Sequence, residues 1–291
     1  MHPAPSVIVF TVLSGLGFGF LAFLGAAFVQ PAGWTAFLLW GLGYALAVGG
    51  LLASTFHLGN PQRAWRAMSQ WRTSWLSREG VMAIATLLML APVALSDWLG
   101  LGWSRLPGVI GAIMALVTVF TTSMIYAQLK TVPRWNHWVT PAMFLCFALA
   151  GGAILALPRW PALALVVVMG LALVLSWSIG DRRFAEVGQT MGKATGLDRI
   201  GKPSIFDPAH TAGNYLLHEM IHIVGRKHVA RLRVLALIFA VVLPALALAL
   251  LPGAVLPRAV AAVAYLIGAF AARWLFFAQA EHVVGLYYGK R

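Results

Sequence analysis

The chain has 291 residues, of which 60% are hydrophobic and only 10% charged, and its 21 Lys and Arg against 8 Asp and Glu give a formal net charge of +13. That composition excludes an ordinary soluble domain, and nothing in it resembles a groove-reading nucleic-acid module. A single cysteine, Cys146, can form no internal disulfide, and one thiol is too few to hold an iron–sulfur cluster.

From Met1 to Gln62 no Lys, Arg, Asp or Glu occurs, and Arg63 is the first formal charge. Each charge at a bilayer centre costs roughly 2.5–3.5 kcal/mol, so a charge-free run this long reads as membrane. One crossing takes about 20 residues, so Gln30-Pro31 near the middle predicts two helices joined by a tight turn, at about 6–28 and 33–57. Low-charge runs then predict spans at about 79–98, 106–128, 137–158, 160–180, 234–256 and 259–280. The third is the shortest signal, with seventeen uncharged residues between Glu79 and Asp97. The expected fold is therefore all-α and integral to the membrane: an eight-helix bundle in one domain over 1–291, both termini on the same side. The N-terminus lacks the basic region of a secretory signal peptide, so the first helix is expected to stay.

Charge predicts the orientation. Eighteen of the 21 Lys and Arg fall on the face shared by the termini and the loops after spans two, four and six, and only Arg105, Arg159 and Arg258 on the other. The positive-inside rule places the loaded face in the cytoplasm of a bacterial inner membrane. Basic charge beside a bilayer favours anionic lipid, and an acidic protein partner fits as well.

The loaded face also carries the long connections. After span two, Asn60-Pro61 predicts a helix start, with Trp65, Met68 and Trp75 near one stripe and Arg63, Arg66 and Arg72 elsewhere. This is an interfacial amphipathic helix, either an anchor at the headgroups or a roof over a pocket. Residues 181–233 are too long for a simple connector. Gly and Pro punctuate their first part, and from Asn214 to Arg233 apolar and basic residues alternate as on a surface helix leading into span seven.

His57 closes span two and Glu79 opens span three, so both are expected near one membrane surface on neighbouring helices. An imidazole and a carboxylate there suit proton exchange with a quinol, whose oxidation releases two protons with its two electrons. Glu79 has another explanation: Ser77 could cap the helix, the dipole would favour an acid in its first turn, and Arg78 could pair with it. Arg273 interrupts span eight. It could snorkel to the interface, pair with a carboxylate, or hold a quinone oxygen. His218-Glu219-Met220-Ile221-His222 fits the His-Glu-x-x-His zinc-protease pattern, but the string is short and no third ligand stands in register, so no metal is expected. No span carries a histidine at mid-depth, so no haem is expected either. Any redox role then needs electron carriers on another subunit. A secondary transporter is the alternative class, and it would want ionisable groups near mid-bilayer, which the spans lack.

His57-Leu-Gly-x-Pro61-x-Arg-Ala-Trp65 followed by Ser74-Trp-Leu-Ser-Arg-Glu79 resembles the DMSO reductase membrane anchor subunit family. Ala194-Thr-Gly-Leu197, Asn214-Tyr215-Leu, Glu219-Met220 and Arg226-Lys227-His228 carry the same resemblance. It implies a chain without turnover of its own that anchors a molybdopterin catalytic subunit and a four-cluster iron–sulfur subunit. It also implies a quinone or menaquinone site at His57 and Glu79, with Trp75, Arg78 and Arg273 as further candidates. Docking of the partner would fall to Arg63, Arg66, Arg72, Asn214, Tyr215, Arg226, Lys227 and His228. His218 and His222 depart from the family pattern. The charge count favours a cytoplasmic partner, as in sulfite-oxidising complexes, where electrons run toward quinone instead of from quinol.

Overall fold

A computed structural model describes residues 2–57, 60–207, 214, 216, 220–221 and 228–288; of His57 and Pro61 it describes the backbone alone. It is all-helical, with no strand among the described residues. Among the described residues, eight helices are long and apolar enough to cross a membrane. In chain order they are α1 (Pro5–Gly25), α2 (Gly33–Ala53), α3 (Trp75–Leu99), α4 (Leu106–Ala127), α5 (Val139–Ala156), α6 (Arg159–Val187), and then, after the short α7 (Met191–Thr195), α8 (Val229–Leu250) and α9 (Val255–Ala278).

The bundle is built around α1, whose buried side chains run almost continuously from Leu16 to Gly25. In lipid no hydrophobic drive separates helix from surroundings, so association rests on close packing through small residues. A Cβ at Gly19 would collide with the Ala148 carbonyl of α5, and one at Gly17 with the backbone of Ala47 on α2. On α8 a π-helical turn, Ile238–Val242, lies where Gly268 of α9 lets the two backbones meet at Ala240. The outward faces, among them Leu88, Leu171 and Val263, are apolar and exposed, as a lipid-facing surface must be.

The helix ends depart from the expected spans for identifiable reasons. α3 starts at Trp75 with Ser74 as its N-cap, so Ser77 does not cap it; the Ser77 hydroxyl is buried without a partner among the described residues. α6 continues to Val187 and stops at Gly188, whose φ of 60° is the left-handed conformation glycine adopts readily. The 29 residues of α6 rise about 43 Å at 1.5 Å each, more than the roughly 30 Å of a hydrocarbon core, so its last turns stand clear of it. α8 begins at Val229, which puts Arg231 and Arg233 on the helix. The segment after α2 is two pieces of 3-10 helix, Ser54–His57 and Pro61–Gln70, with no side-chain cap at Asn60.

Ion pairs lock the crowded end. Asp181 of α6 takes Arg134 from the α4–α5 loop at 2.5 Å and Arg233 of α8 at 2.6 Å, and Arg233 lies over the Trp177 ring. Burial lowers the proton affinity of the Arg134 guanidinium, and Asp181 opposes that shift. A 3-10 turn, Val283–Tyr288, straps the loops: Val283 N–H donates to Thr131 O at 3.0 Å, Tyr287 donates to the Ala194 carbonyl, and Asn214 Nδ2 donates to the Tyr288 hydroxyl at 3.1 Å. At the sparse end Arg105 pairs with buried Asp97 at 2.7 Å, and Trp40 Nε1 donates to the same carboxylate at 3.0 Å. Arg159 donates to the Leu251 carbonyl and Arg258 to that of Leu157.

Candidate functional site

Because α3 starts at Trp75, Glu79 lies past its first turn, and no acidic residue occupies that turn. The helix dipole therefore does not account for it. Its side chain faces inward, with 3% of the residue exposed, and Oε1 accepts a hydrogen bond of 2.5 Å from the Thr122 hydroxyl on α4. Thr122 also reaches the Thr118 carbonyl at 3.0 Å, and the Thr118 and Thr86 hydroxyls meet at 3.1 Å. The seam between α3 and α4 is thus lined by hydroxyls next to the carboxyl.

Arg78 does not pair with Glu79. Its Nε donates to the Trp71 carbonyl at 3.0 Å and its Nη2 to that of Arg72 at 2.6 Å, while its Cζ stacks 4.3 Å from the Trp75 ring. Arg78 and Trp75 therefore latch the preceding 3-10 segment onto α3, with Met68 lying against Gly80. Trp65 and Trp71 are exposed, each with an arginine stacked on it, Arg66 and Arg72 respectively. Of the expected stripe, Met68 and Trp75 are half-buried, and Trp75 packs edge-on against Phe120 of α4. Arg63 is exposed as well. The His57 side chain lies outside the described residues, so the expected His57–Glu79 juxtaposition is fixed here only on the Glu79 side.

Arg273 on α9 does not snorkel. It is 5% exposed, its Cζ lies 3.7 Å from the Phe144 ring centre, and Phe276 and Phe147 flank it at 5.6 and 5.9 Å. It enters no ion pair among the described residues, and its Nη1 is buried without a hydrogen-bond partner there. A guanidinium in such a box is held by cation–π attraction and retains a donor to offer.

Thr122 and Arg273 line the same small cavity, with Thr11 and Ser14 of α1 and Tyr265 of α9. Its volume is about 10 Å³. Glu79 is near the start of α3, Thr122 near the end of α4, and Arg273 near the end of α9, so the three sit at similar depth beneath one face of the bundle. Tyr126, packed by Trp135 and Phe276, lies within electrostatic reach of both Glu79 and Arg273. Thr122 therefore stands between two expected residues, bonded to Glu79 and lining the cavity with Arg273, and the structure adds it, Tyr126 and Tyr265, which sequence reasoning missed. The run Thr118-Val-Phe-Thr121-Thr122-Ser123 was a usable signal, since four hydroxyls in six residues of a membrane span ask for partners.

Of the expected docking residues, Arg63, Arg66, Arg72 and His228 are exposed. Tyr215, Arg226 and Lys227 lie outside the described residues, as do His218, Glu219 and His222. No cluster of three or more His, Cys, Asp or Glu fit to hold a metal occurs among the described residues.

Comparisons with known proteins agree with one another. A sulfite dehydrogenase subunit from Allochromatium vinosum is 32% identical over 99% of both sequences. Two anaerobic dimethyl sulfoxide reductase polypeptides from Escherichia coli K12 match over about half of each sequence. One, YnfH, is 31% identical over 52% of this protein and 55% of its own length, and the other is 26% identical over 47% and 52%. No solved structure matches significantly. The profile of the DMSO reductase anchor subunit (DmsC) matches residues 1–278, and the chain belongs to that family of integral membrane anchors.

Proposed function

We propose that this anchor subunit exchanges electrons and protons between the quinone pool and a membrane-bound molybdopterin/iron–sulfur oxidoreductase, with Glu79 as its proton-exchanging group. The observation that carries this reading is a carboxyl buried in a membrane helix and hydrogen-bonded by Thr122, which lines a cavity together with Arg273, whose Nη1 has no partner among the described residues. Ionisable groups inside membrane spans are costly and are characteristic of functional sites.

A quinone supplies two-electron, two-proton chemistry. The residues supply the rest. Glu79 takes or gives a proton at its carboxyl, Thr122 fixes that carboxyl, and Arg273 offers a cationic donor to a carbonyl oxygen. Phe144, Phe147 and Phe276 keep bulk water from the guanidinium. His57 is the expected second base. The iron–sulfur partner docks on the basic face, through Arg63, Arg66 and Arg72 and through the 181–233 segment, and brings the clusters this chain does not carry. The catalytic subunit then attaches through that partner. By the positive-inside rule this face and both termini are cytoplasmic, in a bacterial inner membrane. Likeness to a sulfite dehydrogenase subunit over 99% of both sequences favours a dehydrogenase partner, and so electron flow toward quinone.

The deciding experiment is Glu79→Gln in the intact complex. The subunits should still co-purify, and the partner should keep its activity with a soluble dye as electron carrier. Quinone-linked turnover should fall roughly a hundredfold, the scale of one lost acid–base group. Native quinone-linked rates would refute the assignment.

A further inference from the structure

We propose that the cavity between α1, α4, α5 and α9 holds one bound water that joins Arg273 Nη1 to the Thr122 hydroxyl, and through it to Glu79.

Three observations meet there. The cavity volume, about 10 Å³, matches one water. Its lining contains Arg273, 5% exposed, whose Nη1 lacks a partner among the described residues, and a buried donor left unmade is costly. The lining also supplies hydroxyl oxygens. Thr11 and Ser14 spend their protons on backbone carbonyls, at 2.9 Å to Val7 and 2.6 Å to Phe10, and keep lone pairs to offer. A water there accepts from Arg273 and donates to a hydroxyl, which meets the two to four polar partners a buried water needs.

The consequence concerns charge. Among the described residues Arg273 enters no ion pair, and Glu79 lies on the other side of Thr122. The water makes the pair continuous: guanidinium, water, hydroxyl, carboxyl. Arg273 thereby reaches Glu79 through hydrogen bonds alone. The other titratable groups facing this interior are Tyr126 of α4 and Tyr265 of α9. Arg78, next to Glu79, is spent on the carbonyls of Trp71 and Arg72. Thr122 and Arg273 are positioning residues for Glu79 in this arrangement. The activity consequence rests on the proposed proton-exchanging role of Glu79; the water itself does not.

The test is infrared difference spectroscopy on the purified full-length protein in lipid, without quinone, comparing acidified and neutral samples in ordinary water and in water enriched in oxygen-18. A band from the Glu79 carboxyl, identified by its loss in Glu79→Gln, should be accompanied by an O–H band that shifts with the oxygen isotope. That O–H band should vanish in the near-isosteric Thr122→Val and in Arg273→Met. In the complex, Thr122→Val should also slow quinone-linked turnover roughly tenfold, less than the roughly hundredfold loss of the acid–base group itself. Absence of the isotope-sensitive band from the native protein, or its persistence in both variants, would overturn the inference. Should the band behave as expected while Glu79→Gln turns over normally, the water link stands and the proton role of Glu79 falls.

Discussion

Glu79 and Arg78 show how little adjacency in sequence says about partnership in a helix. One residue apart, they differ by about 100° around the axis, so one enters the bundle and the other lies back along the 3-10 segment. Sequence alone could name Glu79 as an unusual charge at a span edge. The hydroxyl run of α4 pointed to that stretch without singling out Thr122, because a threonine in a membrane helix ordinarily bonds its own carbonyl ladder, as Thr118 and Thr121 do here. Arg273 was ambiguous for a similar reason: a long cationic side chain near a helix end can point either way, and only the Phe144–Phe276 box decides. Two histidines outside the spans give a residue-scale prediction. His282 Nδ1 accepts from Val284 N–H at 3.0 Å and His137 Nδ1 from Val139 N–H at 3.3 Å, and burial holds both below the usual histidine range. The folded protein then binds fewer protons than the unfolded one, so stability is complete above about pH 6.5 and is lost as pH falls below it. Thermal unfolding in detergent should show that slope, and His137→Asn with His282→Asn should flatten it, since an amide oxygen can accept the same bonds.

Among the elements, α1 has the most to lose. Its small residues let α2 and α5 approach to backbone contact, so Gly19→Leu has nowhere to put a side chain except into the Ala148 carbonyl. The expected cost is at least the ~1–3 kcal/mol of overpacking, read as a lower melting temperature and poor recovery from membranes. The exposed Gly41, with open space around its Cβ position, provides the control, and Gly41→Ala should be neutral. The eight spans were legible because absence of charge over about 20 residues is itself the physical signal. Their ends were less so. Charge marks where the hydrocarbon stops, whereas a helix stops where its hydrogen-bond ladder does, and α6 carries Asp181, Arg182 and Arg183 on helical turns past that edge. The same difference moved the start of α3 back to Trp75 and took Glu79 out of the first turn.

At the scale of the whole molecule, one end of the bundle gathers Glu79, Arg273, the basic 3-10 segment and the strap of the C-terminal turn. Proximity shortens any electron path between a bound quinone and a partner seated on that end. In the proposed docking, the exposed Arg63, Arg66 and Arg72 make the contact electrostatic, and exposed charges are screened by salt. Changing all three to Glu should strip the iron–sulfur subunit from the complex at a lower salt concentration than for the native protein, followed by co-purification over a salt series. Retention identical to native would move the docking surface elsewhere.

The sparse end has its own consequence, for biogenesis. Arg105 is neutralised by Asp97, and Arg159 and Arg258 are tied to carbonyls of neighbouring turns. In the proposed orientation these are the cations carried through the lipid during synthesis, and once the helices have paired they are spent on the protein itself. In that orientation the sparse-end loops would retain little pull back toward the ribosome's side, and the topology chosen at insertion would be held by assembly.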